Sequence, residues 1–468
     1  MFDDDDENDA FEDGELKKDL ERFEKFLVGE PIGFIDSDRW ESMIDHFLIM
    51  GQYSKALICA DEALVNFSYN STLKLRKAQA HSAMGALKES LNLLNELERE
   101  GLSSMEIFLT RASVFSQLKD SKNAIRYFKA ALTEALPEDR DEIYLDLAME
   151  YQNSGESQLA INVLREAIAE NPLNEGAIYE LAYCYDALGD FEASIKCYSN
   201  FIDDNPYSFT AWYNLGNAYA KLENLEKAAW AYDYCLLIND EFGPAYFNLA
   251  HTSLSLDRYT TAITYFEKCM ELDGEDPLAL CYIGECHEQL GNLEKAKEFY
   301  QKSIDLAPML PDAWLGLGIV EDLEGKTKEG IVLIEKAAEL DPENASIYHV
   351  LAGAYEKLEQ FDKAYEYYEL SLALDPTEED ALLNYIELLS KESLKLAYDF
   401  LEDFNVIEGG NEILEILKVS LLWKLGRKKE SIQLFKKCLN EDRDKAIEIF
   451  DIHPALKNVP EFVLLTDQ

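Results

Sequence analysis

A phrase of six residues returns every 34 residues through the middle of this chain of 468 residues. It reads Ala-Trp-Tyr-Asn-Leu-Gly from Ala211, and related phrases begin at Ala245, Ala279 and Ala313. A fixed period of this size is typical of stacked structural units that each pack on their neighbours. The period therefore predicts a quasi-linear array in place of one globular core. It leaves the function open, because such arrays are built to hold other molecules.

Each unit reads as two helices, A and B, joined by turns. In residues 141–174, four apolar residues have the spacing of one helical face: Tyr144, Leu147, Ala148 and Tyr151. Gly155 then interrupts the pattern, a second apolar face follows, and Pro172 ends it. Where a unit lacks the turn glycine, Asn224 or Asp257 stands nearby, and both residue types tolerate a left-handed backbone. The unit is therefore predicted to be a helical hairpin.

Two columns of small residues support this hairpin. The eighth position holds Ala148, Ala182, Gly216, Ala250, Gly284, Gly318 and Ala352. The twentieth position holds Ala160, Ser194, Ala228, Ala262, Ala296, Gly330 and Ala364. Because the distance between two helix axes depends on side-chain bulk at the contact, these columns predict that helices A and B approach closely. The expected fold class is all-α.

The columns resemble the tetratricopeptide repeat. That family has an aromatic residue at position 4, Leu-Gly or Leu-Ala at 7 and 8, Tyr at 11, Ala at 20 and 27, an aromatic residue at 24 and Pro at 32. Residues 209–240 follow the pattern with Trp212, Leu215, Gly216, Tyr219, Ala228 and Tyr232, and depart from it at Cys235 and Asp240. The resemblance implies a right-handed superhelical α-solenoid of helix-turn-helix repeats.

About twelve units can be counted along the chain. They start near Ser37, Ser71, Met105, Asp141, Glu175, Phe209, Gly243, Pro277, Pro311, Ala345, Glu379 and Glu412. This predicts a tandem solenoid over residues 37–445, preceded by a disordered acidic tail (1–14) and an N-terminal capping helix (15–36). Residues 446–468 carry enough apolar side chains to cap the last unit, as terminal repeats require. The alternative for that segment is an exposed docking peptide.

The net charge of −49 favours basic partners and disfavours nucleic acid and anionic lipid. The alternative is that the acidity serves solubility alone. There is no apolar run long enough for a membrane helix and no basic secretory start, so no membrane insertion is expected. Eight cysteines without a disulfide spacing favour a cytoplasmic protein. A composition rich in Lys, Glu, Ile, Asn and Tyr is typical of a bacterium with an AT-rich genome.

The family resemblance implies that helix A lines a concave groove, with positions 5, 6 and 9 facing inward. The candidate partner-binding residues at these positions are Tyr179, Glu180, Tyr183, Tyr213, Asn214, Asn217, Phe247, Asn248, His251, Tyr282 and Glu285. Carboxamides can bond the backbone of any extended peptide, aromatic rings give large contact areas, and carboxylates pair with Lys or Arg. The alternative is that the asparagines repeat a family pattern, and that Tyr179 and Tyr183 pack between adjacent helices.

No catalytic, cofactor or metal motif is found. Cys281, Cys286 and His287 form the nearest approach to a metal site, but two residues five apart on a helix point in different directions. No phosphate-binding loop or nucleophile arrangement occurs. The sequence therefore predicts a non-catalytic scaffold that captures a protein or peptide segment in its groove. The alternatives are a self-associating structural subunit, which includes a homo-oligomer, and a regulatory or targeting array for an enzyme encoded elsewhere.

Overall fold

The computed structural model describes the backbone of residues 4–408 and 412–466, with side chains over residues 14–404 and 413–466. The described part of the chain consists of helices joined by short turns and contains no β-strand. It divides into two compact units, Met1–Ile238 (unit 1) and Asn239–Gln468 (unit 2).

Unit 1 contains thirteen α-helices among its described residues: α1 (Asp4–Leu27), α2 (Ser37–Ile49), α3 (Tyr53–Asn66), α4 (Ser71–Ala83), α5 (Leu87–Arg99), α6 (Met105–Gln117), α7 (Ser121–Glu134), α8 (Arg140–Asn153), α9 (Ser157–Glu170), α10 (Glu175–Ala187), α11 (Phe191–Asp204), α12 (Phe209–Lys221) and α13 (Leu225–Ile238). A short 3₁₀ turn at Pro137–Asp139 precedes α8 and accounts for the two-residue slip in the sequence period.

Unit 2 continues the alternation of A and B helices: α14 (Gly243–Ser255), α15 (Tyr259–Asp273), α16 (Pro277–Gln289), α17 (Leu293–Leu306), α18 (Pro311–Leu323), α19 (Thr327–Leu340), α20 (Ala345–Lys357), α21 (Phe361–Leu374), α22 (Glu379–Glu392), α23 (Leu394–Glu408), α24 (Glu412–Lys424) and α25 (Lys428–Glu441). Short helices follow to the end: α26 (Arg443–Ile447), α27 (Ile449–Ile452), a 3₁₀ turn (Pro454–Asn458) and α28 (Pro460–Thr466).

The predicted repeat frame is confirmed. Eleven of the twelve predicted starts are the first residue of an A helix, and the twelfth, Asp141, lies one residue inside α8. Within each unit most consecutive A helices contact one another, as α16 and α18 do, whereas consecutive B helices in the described chain do not pack closely together. The A helices therefore form the inner layer of each stack, and the all-α architecture of helical hairpins is established.

The aromatic residue at position 4 and the proline at position 32 meet between repeats. The indole Nε1 of Trp212 donates to the carbonyl oxygen of Pro206 at 2.9 Å, and Trp314 bonds Pro308 in the same way at 2.9 Å. An indole N–H needs an acceptor, and the carbonyl of the proline that follows the preceding B helix provides one. In these two repeats the two columns therefore form one contact that fixes a repeat on its neighbour.

The A-to-B turns use a left-handed residue, as expected. Gly155, Gly189 and Gly291 have φ of 77°, 73° and 73°. Asp257 takes this conformation with φ 57°, but the expectation for Asn224 is wrong by one position, because Glu223 is left-handed with φ 56°. The turn length is fixed by the helix ends, so the residue that falls at the bend adopts the conformation whatever its type.

The N-terminal helix starts earlier than the sequence indicates. The backbone is helical from Asp4, whereas disorder was expected over residues 1–14, and residues 1–3 lie outside the described part. Acidic residues near a helix start are favoured by the helix dipole, which accounts for the extension. The helix attaches through Phe23, which is buried against Trp40 and Phe47 with ring centroids 6.3 and 5.3 Å away.

The C-terminal segment packs on the last hairpin of unit 2. Phe462 is fully buried, with its ring centroid 4.9 Å from that of Phe435 and 5.2 Å from that of Trp423. Leu456 and Ile449 are buried in the same cluster. The segment thus covers apolar surface that the last repeat would otherwise expose. No helix of the described chain is both long and apolar enough to cross a membrane.

Candidate functional site

The eleven candidate residues fall in both units. Six lie on α10 and α12 of unit 1, and five lie on α14 and α16 of unit 2. Because the A helices form the inner layer of each stack, each group belongs to an inner face of its own unit. The two groups are therefore two surfaces, which we call the unit 1 face (Tyr179, Glu180, Tyr183, Tyr213, Asn214, Asn217) and the unit 2 face (Phe247, Asn248, His251, Tyr282, Glu285).

Tyr179 of the unit 1 face is already engaged within the chain. Its hydroxyl bonds Glu175 on its own helix and Thr210 at the start of the next A helix. Glu175 also accepts a hydrogen bond from Ser208 at 2.8 Å. Burial and the bond to Glu175 raise the pKa of Tyr179 to about 12, and the same bond lowers the pKa of Glu175. Tyr179 therefore joins two repeats, as the alternative interpretation of the sequence holds.

Other residues of the unit 1 face are open to varying degrees. Tyr183 is 63% exposed, which sets it apart from Tyr179. Asn217 accepts a hydrogen bond from the hydroxyl of Tyr232 at 2.8 Å, and Glu180 accepts one from Gln152 at 3.3 Å. Asn214, which lies between Glu180 and Asn217 in the sequence, is half-buried. The face presents an exposed phenol beside amide and carboxylate groups.

The unit 2 face is built around aromatic rings. The ring of Tyr282 stacks on that of Phe266 with centroids 5.5 Å apart, and Phe247 meets Phe266 edge to face at 5.5 Å. His251 is exposed and lies with its ring 5.1 Å from that of Tyr282. Although the residue as a whole is exposed, partial desolvation of its ring lowers the pKa of His251, so the imidazole is held towards its neutral form. Phe247 thus supports the face by packing, while His251 is available at its surface.

Two carboxylates of unit 2 are half-buried without a cation beside them. Glu285 has no hydrogen-bond or ion-pair partner among the described residues, and burial followed by the nearby Asp312 raises its pKa. Burial also raises the pKa of Glu288, which accepts a hydrogen bond from the hydroxyl of Tyr300 at 2.9 Å. A nearby negative charge disfavours ionisation of a carboxyl group. The charge of Asp312 acts on Glu285 in this way, and the charge of Glu285 acts on Glu288. A cation placed here would be strongly attracted.

Glu288 lacks a lysine partner for a reason that was not predicted from the sequence. Elsewhere a carboxylate at position 12 pairs with a lysine at position 13 of the next repeat. These pairs are Asp186 with Lys221 at 2.7 Å, Asp322 with Lys357 at 2.5 Å, and Glu356 with Lys391 at 3.0 Å. Glu288 occupies position 12, but position 13 of the following repeat is Leu323. Acidic and basic residues 35 positions apart in the sequence are the signal that would have revealed that Glu288 lacks such a lysine.

The thiols offer no separate chemistry. All eight cysteines are free, and burial raises the pKa of Cys235 to about 12 and that of Cys197 to about 11. Thiols of this kind are inert, because the thiolate is the reactive form. No group of three His, Cys, Asp or Glu residues in the described ranges is placed to hold a metal ion.

Comparison with known families identifies the repeat. Four profiles, all described as tetratricopeptide repeat, match residues 106–135, 152–200, 185–244, 241–309, 345–378 and 416–449. Together these matches extend over more than half of the chain. Among curated proteins, none has a significant sequence match.

Three solved structures illustrate the likeness in fold. The chain is 19% identical to a tetratricopeptide repeat protein from Parabacteroides merdae, with 55% of this chain and 98% of that chain covered and a TM-score of 0.46. It is 16% identical to the APC/C hetero-tetramer Cut9–Hcn1, with 89% and 95% covered and a TM-score of 0.43. It is 22% identical to YrrB, described as having an unusual peptide-binding site, with 40% and 95% covered and a TM-score of 0.31.

Proposed function

The chain belongs to the tetratricopeptide repeat family, and from this premise we propose that it is a non-catalytic scaffold that holds a segment of a partner protein against its A helices. The partner segment is extended and carries Lys or Arg. The repeats supply the frame, and the unit 1 face and the unit 2 face supply the side chains that contact the partner. The free, buried thiols fit a reducing compartment, which we take to be the cytoplasm.

The proposal depends on one observation, the pair of half-buried carboxylates Glu285 and Glu288 with no cation beside them. Keeping a partly desolvated carboxylate without a counter-charge costs free energy, and a chain that only needed a stable core would pair or replace it. The ion pair between Glu356 and Lys391 shows that the same frame accommodates a lysine. A guanidinium or ammonium group from a partner would form charge-assisted hydrogen bonds at this place.

The neighbouring side chains favour a peptide as the source of that cation. Tyr282 lies on the same helix as Glu285, and His251 on the preceding A helix is exposed with its ring against that of Tyr282. Aromatic residues contribute much of the binding energy at protein interfaces, and a cation can also stack on such a ring. The high negative charge of the chain adds long-range attraction for basic segments.

The test is binding of basic peptides to the intact protein. Fluorescein-labelled peptides of alternating Lys and Ser, and matched peptides of alternating Glu and Ser, would be titrated with fluorescence anisotropy as the readout. The double variant Glu285→Gln/Glu288→Gln should bind the Lys peptide at least tenfold more weakly. The control Glu294→Gln/Glu329→Gln, which removes the same charge from exposed positions of B helices, should bind like wild type. Equal weakening in both variants would reduce the effect to net charge and end the proposal.

Self-association is the second candidate function, and sedimentation equilibrium separates it from capture. A scaffold that captures other proteins stays monomeric over a wide range of concentration. A concentration-dependent mass would favour the structural role, although the net charge of −49 opposes close approach of two copies.

A further inference from the structure

The outer face of helix α13 in unit 1 carries exposed apolar side chains. Trp230 is 46% exposed, Tyr234 is 41% exposed and Leu237 is 78% exposed. Their spacing of four and three residues places them on one side of the helix. We call these three residues the α13 surface. It lies on a B helix, away from the inner layer that the A helices form.

The aromatic rings of the α13 surface pack against one another and against Trp212. The ring of Tyr234 stacks on that of the buried Trp212 with centroids 4.7 Å apart, and Trp230 meets both rings edge to face at 5.1 and 5.2 Å. Trp212 is itself fixed by its hydrogen bond to Pro206. Ordered aromatic rings lose little conformational entropy on binding, which is the property of an interface anchor.

The repeat frame does not require these aromatic residues. Trp230 and Tyr234 occupy positions 22 and 26, which three other B helices fill with polar or charged residues, whereas α23 has the half-buried Phe400 and Phe404 there. The corresponding pairs are Lys196 and Asn200 on α11, Thr264 and Lys268 on α15, and Glu298 and Lys302 on α17. A hairpin of this kind therefore folds with a polar outer face. An aromatic cluster that is open to solvent, as this one is and the half-buried pair on α23 is not, indicates a contact with another molecule.

The charge of the chain selects the partner. Residues 200–238 of unit 1, which include α13, contain five acidic residues and two lysines, and the whole chain has a net charge of −49. Of the lysines, Lys221 is paired with Asp186 and Lys227 lies over the ring of Tyr219 at 5.3 Å. Indole is the ring that attracts cations most strongly, and Arg stacks on it by its flat guanidinium. A second copy of the chain would bring the same excess of negative charge to the contact.

We propose that the α13 surface docks a segment of another protein in which Arg alternates with apolar residues. The guanidinium stacks on Trp230, and the apolar residues cover Tyr234 and Leu237. The negative net charge of the chain attracts the positive charge of the segment. This contact is separate from the A-helix faces, so it can form whether or not those faces bind.

The test uses the full chain labelled with 5-fluorotryptophan, with the ¹⁹F resonance of Trp230 assigned as the one that Trp230→Phe removes. The probes are an acetylated peptide of four Arg-Leu pairs and its Glu-Leu counterpart. The Arg peptide should shift the Trp230 resonance, and the Glu peptide should not. An unmoved resonance with the Arg peptide, or an equal shift with both peptides, would overturn the proposal.

Two further measurements make the outcome specific. In a Glu285→Gln/Glu288→Gln background, the variant Trp230→Ala/Tyr234→Ala should weaken binding of the Arg peptide at least tenfold, while the control Lys196→Ala/Asn200→Ala leaves it unchanged. Circular dichroism would verify that both variants stay folded. A Trp230 resonance that moves on dilution without peptide would assign the surface to self-association and overturn the proposal. The background lacks the carboxylates of Glu285 and Glu288. A failure of binding at the α13 surface can therefore be told apart from a failure of binding at the A-helix faces.

Discussion

The phenol ring of Tyr232 lies directly against the α-carbon of Gly216. A Cβ atom built on this glycine would stand 2.4 Å from Cε1 of the ring, far inside van der Waals contact. Gly216 is at position 8 of helix A and Tyr232 is at position 24 of helix B, so the small column and the aromatic column of the period are the two sides of one contact. The same relationship recurs between Gly284 and Tyr300, at 2.9 Å.

This contact predicts that Gly216→Ala destabilises the protein. The added methyl group must displace a fully buried ring, and overpacking of this kind costs about 1–3 kcal/mol. The matched control is Gly353→Ala on helix α20, where a Cβ would meet no atom within 4 Å. Alanine should there stabilise the helix by roughly 0.5–1 kcal/mol. Urea unfolding of both variants measures the two effects, and a loss at Gly353 or no loss at Gly216 would contradict the packing.

The sequence predicted the repeat frame well, because the frame depends on local rules. Helix starts, turn glycines and small columns follow from periodicity within one 34-residue unit. Contacts between repeats were less visible. Arg111 stands where the frame expects Leu, yet it is buried and donates to the carbonyl oxygen of Leu94 at 2.8 Å and to Glu98 at 2.9 Å. Only the placement of the preceding B helix shows that this charge has partners.

The candidate site was predicted in part, for the same reason. Position within helix A identified Tyr183 and His251, which are exposed, but it grouped them with Tyr179, whose hydroxyl is occupied by the next repeat. Whether a side chain at a given position faces solvent depends on which residue the adjoining repeat places opposite. Glu288 similarly lacks a lysine partner because position 13 of the next A helix is Leu323. The pattern within a single repeat does not contain that pairing.

The left-handed turn residues predict gains in stability. Glu223 and Glu359 have φ of 56° and 58°, a backbone region that costs a residue with a side chain about 1–2 kcal/mol. Glu223→Gly and Glu359→Gly should therefore each raise the free energy of unfolding by about 1 kcal/mol. The control Glu223→Ala removes the same carboxylate but keeps the strained Cβ, and it should show no such gain in thermal unfolding. Equal gains for Ala and Gly would assign the effect to charge.

The half-buried carboxylates Glu285 and Glu288 predict that the free energy of unfolding differs between wild type and their double Gln variant in a way that depends on pH. Burial raises the pKa of Glu285 and Glu288 above their ordinary value of 4.5. Above that pH, the folded chain binds more protons than the unfolded chain, so the free energy of unfolding falls as the pH rises through the folded pKa values. Glu285→Gln/Glu288→Gln removes this loss. The variant should be more stable than wild type at pH 7, and its advantage should shrink as the pH approaches 4.5.

Urea unfolding at several pH values measures this difference. The control Glu294→Gln/Glu329→Gln removes two charges from exposed positions and isolates the contribution of net charge. An advantage of the same size in both variants, or one that grows towards acidic pH, would contradict the desolvation of Glu285 and Glu288.

The C-terminal segment predicts a local loss of stability when its anchor is removed. Phe462 is fully buried between Phe435 and Trp423, and truncating a buried Phe to Ala typically costs about 3–5 kcal/mol. Because each repeat packs only on its neighbours, this loss should be confined to the end of unit 2. Hydrogen exchange in Phe462→Ala should accelerate in helices α24 and α25 and stay unchanged in α14 and α16. The exposed Leu464→Ala, two residues further on, is the control and should exchange like wild type. Unaltered exchange in α25 of Phe462→Ala would show that the segment is a detachable docking peptide and does not cap the solenoid.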